Sequence, residues 1–238
     1  MCIRDRAQGG VREVFVRKAG EEGVSIVFAC DSPLYAANEQ KNGYIEYSHT
    51  PWGTLRGELT GLCQSKNAAT IMAALRLIEP HFSIDPVAVA EGFAHVCELT
   101  GLMGRWMVVE TSPVRVICDT GHNVGGWHDL GQSLSDIASK GTLHVVAGFV
   151  NDKDIAHIVG LMPRDANYYF VCPSVERGRP ADSTAEYYRA AGLNGVCCGS
   201  VADGVRSALT VATPGDTVFV GGSTFVVADF LKTRRNSR

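Results

Sequence analysis

The sequence predicts an α/β protein whose C-terminal part, from about residue 101, is a mostly parallel sheet with helices on both faces. Two observations carry this expectation. Short β-branched or aromatic runs near 106–110, 114–118, 143–149, 167–172, 194–198 and 217–221 alternate with helical-period stretches near 124–139, 153–161, 182–191, 201–211 and 224–232. Two of the strand runs also end in glycine-containing polar turns, Asp119-Thr120-Gly121-His122-Asn123 and Gly221-Gly222-Ser223-Thr224. Such turns at strand ends are where open α/β sheets bind ligands.

The N-terminal part reads differently. Met1-Cys2-Ile3-Arg4-Asp5-Arg6 has no helical or strand period and resembles translated adapter sequence, so residues 1–6 are set aside from the fold. Val11, Val14, Phe15 and Lys18 stand at helical spacing, and Val24 to Phe28 reads as a short strand. Residues 41–60, rich in Gly, Thr, Tyr and Pro, suggest extended segments or a hairpin. Asn67 to Ile78 is a strong helix, with Ala68, Ile71, Met72, Leu75 and Ile78 on one stripe. Asp85 reads as an N-cap with Pro86 at the first helical position of a helix running to about Cys97. The pattern changes near residue 100, which gives units of 7–100 and 101–238.

Composition narrows the function classes. A net charge of −3 over 238 residues gives no support for a nucleic-acid or acidic-membrane partner. Arg234, Arg235 and Arg238 read as a solvated tail. No apolar run is long enough to span a membrane and no signal peptide is visible. The eight cysteines contain no C-x-x-C pair, as expected of reduced thiols in a cytoplasmic protein. The dinucleotide fingerprint G-x-G-x-x-G does not follow the first strand, which argues against NAD or FAD, and the phosphate loop G-x-x-x-x-G-K-[ST] is absent.

The candidate chemistry sits at the strand ends. Asp119 offers a carboxylate and His122 an imidazole that can donate, accept or ligate. Asp119 and Asn123 could equally do no more than cap the following helix. Ser223 and Thr224 follow Gly221-Gly222, where hydroxyls and backbone N–H groups could hold a carboxylate or cap a helix. Lys153, in Asn151-Asp152-Lys153-Asp154, could bind a carboxylate or be solvated, with Asp152 as N-cap. Arg105, between Gly104 and Trp106, could bind phosphate bidentately or pair with Glu98 or Glu110. Asn67 stands where a helix begins. His128 and His157 have no metal-spaced partner and read as structural. Tyr168-Tyr169-Phe170 reads as a strand with mixed faces, and Glu176-Arg177-Gly178-Arg179-Pro180 as a polar loop that could reach a substrate.

Four elements occur in order: Gln64-Ser65-Lys66-Asn67-Ala68-Ala69-Thr70, Gly101-Leu102-Met103-Gly104-Arg105-Trp106, Asp119-Thr120-Gly121-His122-Asn123, and Val218-Phe219-Val220-Gly221-Gly222-Ser223-Thr224. Together they resemble the C-terminal half of the folylpolyglutamate synthase/dihydrofolate synthase family, in the Mur ligase superfamily, from about residue 11 to the end. The chain departs from the family pattern at Met103 and Val124, where proline is usual.

The resemblance implies a Rossmann-like C-terminal domain at 101–238, preceded at 7–100 by a remnant of the central ATP-binding α/β domain. It implies an ATP-dependent, amide-forming ligase. A carboxylate of tetrahydrofolate or dihydropteroate becomes an acyl phosphate, which the amine of L-glutamate attacks. ATP and Mg²⁺ are then the expected cofactors, with the metal ligands in the family's N-terminal part and none in this chain. On the same grounds Asn67, Arg105 and Asp119 are expected to bind ATP. His122 is expected to be catalytic and, with Ser223, Thr224 and Lys153, to bind glutamate. The resemblance further implies a monomer with small-molecule substrates, inactive without the phosphate-loop region. Two other readings remain open: a cell-wall Mur ligase, and a non-catalytic α/β domain that binds a nucleotide.

Overall fold

The computed structural model describes residues 2–4, 9–41 and 43–235; Met1, Asp5, Arg6 and Arg238 lie outside the described residues. The chain divides into two compact units, Met1–Leu102 and Met103–Arg238.

In the first unit, β1 (Cys2–Arg4) runs parallel to β2 (Ile26–Phe28), with α1 (Gly9–Glu21) between them in sequence. Residues 2–4, which carry no strand period in the sequence, form this short strand. The backbone edge of β2 pairs with any extended segment that reaches it, whatever its side-chain pattern. The 41–60 region is an antiparallel three-stranded sheet of β3 (Ala37–Lys41), β4 (Tyr44–Thr50) and β5 (Gly53–Gly57). It packs its apolar face, with Tyr47 and Leu55, against Ala68 and Met72 of α2 (Gln64–Ile78). The buried stripe of α2 is Ala68, Ala69, Met72 and Ala73. Ile71 and Ile78, expected inside, are 48% and 41% exposed. Small residues let α2 approach the sheet more closely than the larger ones would, so the helix turns its alanines inward. Asp85 caps α3 (Pro86–Ala94) as expected, accepting a 2.9 Å bond from the Val87 amide. The expected continuation to Cys97 breaks at His95, and α4 (Val96–Thr100) follows.

The second unit is built on one six-stranded sheet. It contains β6 (Met107–Glu110), β7 (Arg115–Asp119), β8 (Leu143–Ala147), β9 (Asn167–Cys172), β10 (Gly195–Ser200) and β11 (Thr217–Gly221), in the order β10-β9-β8-β11-β7-β6. Every neighbouring pair is parallel except β6 with β7. On one face lie α5 (Val124–Ala138), α6 (Ile155–Val159) and α7 (Ala181–Ala190), around Trp127, Phe149, Ile158, Phe170 and Tyr188. On the other lie α8 (Val201–Val211) and α9 (Thr224–Arg235), around Val205, Val226 and Phe230. Strand side chains alternate between the two cores: Tyr168 and Phe170 enter the first, Tyr169 the second. The C-terminal segment is less tail-like than expected. α9 continues to Arg235, and Arg234 reaches Glu110 at 2.7 Å. No described cysteine forms a disulfide, and no helix among the described residues is long and apolar enough to cross a membrane.

Candidate functional site

The strand order creates a crevice. β11 lies between β7 and β8, but its connection leads to α9 on one face, while those of β7 and β8 lead to α5 and α6 on the other. Loops that part in this way leave an opening beyond the carboxyl ends of the strands. Asp119 ends β7, Ser223 follows β11 and Lys153 follows β8, so these residues stand at one end of the sheet. His122 lies in the β7–α5 turn and Thr224 begins α9, so both stand at that same end of the sheet.

Asp119 is committed to backbone. Its Oδ2 accepts from the Trp106 amide and its Oδ1 from the Gly121 amide, both at 2.7 Å. The Thr120 amide donates to the Gly104 carbonyl at 2.9 Å. These bonds strap segment 104–106 across the β7 turn. The strap forces Trp106 to φ 47°, a left-handed conformation unusual for a large side chain. Gly104 has φ 71°, and a Cβ there would come within 2.8 Å of Thr120 Cγ2 and 2.9 Å of Val227 Cγ1. Burial pushes the Asp119 carboxyl above the usual aspartate range, and the two amide bonds and the Arg105 charge only partly oppose it. Arg105 itself is exposed and makes no ion pair among the described residues. Neither carboxylate considered from the sequence takes it: Glu110 holds Arg234 and Glu98 lies beside His95. The strap thus leaves an unpaired guanidinium beside the β7 turn, close enough for Asp119 to feel its charge.

His122 is half-buried, with Nδ1 3.0 Å from the Thr120 carbonyl. A carbonyl oxygen only accepts, so Nδ1 is the donor in this bond and Nε2 faces no partner in it. Asn123 caps α5, its Oδ1 accepting from the Gly126 amide at 2.8 Å. Ser223 is 2% exposed. Its Oγ accepts from the Phe225 amide at 3.2 Å and its carbonyl from the Val227 amide. It therefore acts as the cap of α9, and its hydroxyl proton stays available to an acceptor. Thr224 is exposed beside it. Gly222 has φ 97°, and a Cβ there would lie 2.6 Å from the Gly148 carbonyl oxygen. The β11 turn can pass this close to the β8 turn only without a side chain.

Lys153 lies on the same rim, its Nζ 3.3 Å from Asp152 Oδ2. Asp152 is not the cap expected there. Asp154 caps α6, accepting from the His157 amide at 3.3 Å and facing the His157 ring at 2.7 Å. Asn67 belongs to the first unit. It lies in the first turn of α2, not at its cap; its Nδ2 donates to Gln64 Oε1 at 3.0 Å, and it lines a largely apolar cavity of about 440 Å³. No group of three or more His, Cys, Asp or Glu among the described residues could hold a metal ion.

Two features escaped the sequence. The strap on Trp106 uses a backbone amide and a left-handed tryptophan, and neither has a sequence signature. The loop 176–180 was visible as polar, but nothing in its sequence showed where it docks.

An open α/β sheet whose strand ends carry an imidazole, a capping serine and an unpaired arginine has the architecture of a ligand-binding domain. The profile of the "Mur ligase, glutamate ligase domain" family matches residues 104–224. The chain belongs to that family, and its relatives are dihydrofolate synthase/folylpolyglutamate synthase ligases. The Escherichia coli dihydrofolate synthase/folylpolyglutamate synthase is 31% identical over 181 residues, 76% of this chain and 40% of the relative. The enzyme of the same name from Buchnera aphidicola is 28% identical over 133 residues, 56% of this chain and 31% of the relative. Among solved structures, E. coli FolC in complex with DHPP and ADP matches with TM-score 0.75 and 24% identity over 99% of this chain and 53% of that one. The Mycobacterium tuberculosis folylpolyglutamate synthase complexed with ADP matches with TM-score 0.80 and 19% identity over 98% and 54%. The chain thus spans about half the length of these solved proteins and less than half of the curated relatives it matches. The structural likenesses show the fold.

Proposed function

We propose that this chain carries the glutamate-binding half of an ATP-dependent ligase that joins L-glutamate to a folate. The observation that supports the reading is that the β7 and β11 turns stand side by side at the carboxyl end of the sheet, with His122 in one and Ser223 in the other. Ser223 and Thr224 hold a carboxylate of the amino acid. His122, oriented by the Thr120 carbonyl, orients the glutamate and takes a proton from its ammonium as the amine attacks. Lys153 contributes positive charge on the rim, reduced by Asp152. Arg105 binds phosphate oxygens of the nucleotide. Asp119 serves the nucleotide chiefly by fixing the strap that carries Arg105.

ATP-dependent amide formation needs phosphoryl charge stabilised by cations or metal. No cluster among the described residues makes a metal site, and the sequence has no phosphate loop. The reading therefore assigns Mg²⁺ and the γ-phosphate to other protein residues, and no step here is routed through the metal. Titration calorimetry tests this division. The chain is expected to bind L-glutamate, with a Kd on the order of 1 mM for a few charge-assisted contacts. With ATP, Mg²⁺ and tetrahydrofolate or dihydropteroate it is expected not to turn over. Absence of L-glutamate binding overturns the reading, and ligation by the isolated chain overturns the division of labour. Tighter binding of a muramyl nucleotide would favour the cell-wall branch.

His122→Ala and Ser223→Ala separate site from scaffold. His122→Ala should weaken L-glutamate binding about tenfold and leave the melting temperature nearly unchanged, because the ring is half-exposed. Ser223→Ala should weaken binding and also lose about 1 kcal/mol of stability with its cap. Calorimetry beside thermal melts checks both. Lowered melting points with unchanged binding would reduce the two residues to helix caps.

A further inference from the structure

The polar loop after β9 is strapped to the loop after β8. The Asn151 amide donates to the Arg177 carbonyl at 3.0 Å, and the Arg179 amide donates to the Phe149 carbonyl at 2.9 Å. Val150 and Gly178 form an antiparallel bridge, and Arg179 Nη2 donates to the Asn151 carbonyl at 2.7 Å. Arg177 therefore has a fixed backbone. Its exposed side chain crosses to the first turn of α9, where the guanidinium carbon lies 5.3 Å from the Phe225 ring centroid. Phe225 is two residues beyond Ser223.

A guanidinium resting on a ring is held through its face, and its N–H donors point outward in the plane. Among the described residues Arg177 makes no side-chain hydrogen bond or ion pair. The nearby carboxylate that feels its charge, Asp152, is bonded to Lys153. Glu176 beside it is exposed. The α9 side of the strand ends thus has a positioned, unspent, forked cation.

We propose that Arg177 is a specificity-determining residue of the site: it takes the second carboxylate of the incoming dicarboxylic amino acid, while Ser223 and Thr224 take the first. The proposal rests on the glutamate reading above. It explains how the crevice distinguishes an acidic side chain from its neutral isostere. A planar fork matches a carboxylate in two parallel bonds, and an amide offers only one acceptor and no charge.

The test compares L-glutamate and L-glutamine binding to the full 238-residue chain and to its Arg177→Gln and Arg177→Lys variants, with thermal melts alongside. The parent should prefer glutamate about 10- to 100-fold, the range expected for a charge-assisted pair. Arg177→Gln should collapse that preference by weakening glutamate alone, leaving glutamine binding and the melting temperature unchanged. Arg177→Lys should restore part of it. Retained discrimination in Arg177→Gln overturns the proposal and leaves the glutamate reading standing. An equal loss for both ligands assigns Arg177 to the shared amino-acid head and also overturns it. Failure of the parent chain to bind either ligand overturns the glutamate reading itself.

Discussion

Asp119→Ala should destabilise the 103–238 unit by about 3 kcal/mol, because it leaves the Trp106 and Gly121 amides without their acceptor. It should also release the strap. Trp106 holds φ 47° under this restraint, and without the carboxylate the segment relaxes toward ordinary extended backbone. Its ring lies 6.2 Å from Phe219, so Trp106 fluorescence should shift toward that of a solvated indole. Denaturant unfolding with emission spectra checks both effects; a variant with parent stability and spectrum would show that the clamp carries no weight.

The same carboxyl sets a pH signature. Its folded pKa lies above the usual aspartate value, with burial as the main cause. The folded state therefore binds this proton more tightly than the unfolded state does. The group's contribution to stability is largest below the unfolded value and falls as pH rises through the folded one. The stability gap between parent and Asp119→Ala should narrow as pH rises through that window and stay constant above it. A gap that widens with pH contradicts the assignment.

Gly222→Ala should be about as damaging. The new Cβ would lie 2.6 Å from the Gly148 carbonyl oxygen, on backbone that cannot yield cheaply, and φ 97° strains any L side chain. The expected loss is about 2–4 kcal/mol. The β11 turn must then move away from the β8 turn, so Ser223 shifts and L-glutamate binding falls with stability. Parent-like melting and binding would show that the two turns are not in the close contact described.

Much of this architecture was legible because parallel strands buried on both faces leave continuous apolar runs. Leu143–Ala147 and Thr217–Gly221 are buried at every position, and each is short enough to read as a strand rather than a helix. The caps at Asp85 and Asn123 were readable because a short polar side chain before a helix has one favoured local use. The inward face of α2 was legible only in part: Ala68 and Met72 were expected inside, but Ala69 and Ala73 were not, because alanine carries little hydrophobic signal yet permits the closest packing. The residue types of the crevice were visible at strand ends. Their working geometry was not: Asp119 turns both oxygens to backbone, Lys153 leans on Asp152, and Arg177 crosses to Phe225. Neither the strap nor the Arg177 crossing could be read locally, because each depends on an approach between segments distant in sequence.

The opposite end of the sheet offers an internal control. There His144, 3% exposed, faces the Tyr169 hydroxyl at 3.2 Å and the Asp216 carboxylate at 3.6 Å. It is a polar cluster as suggestive as the crevice, placed where strands begin. Amide chemical-shift mapping of the chain during titration with L-glutamate therefore tests the central claim most directly. The account predicts shifts at Gly121, His122, Ser223 and Thr224, with smaller ones near Lys153 and Arg177, and none around His144 and Asp216. Shifts confined to the His144 end, or none at all at millimolar ligand, would contradict it.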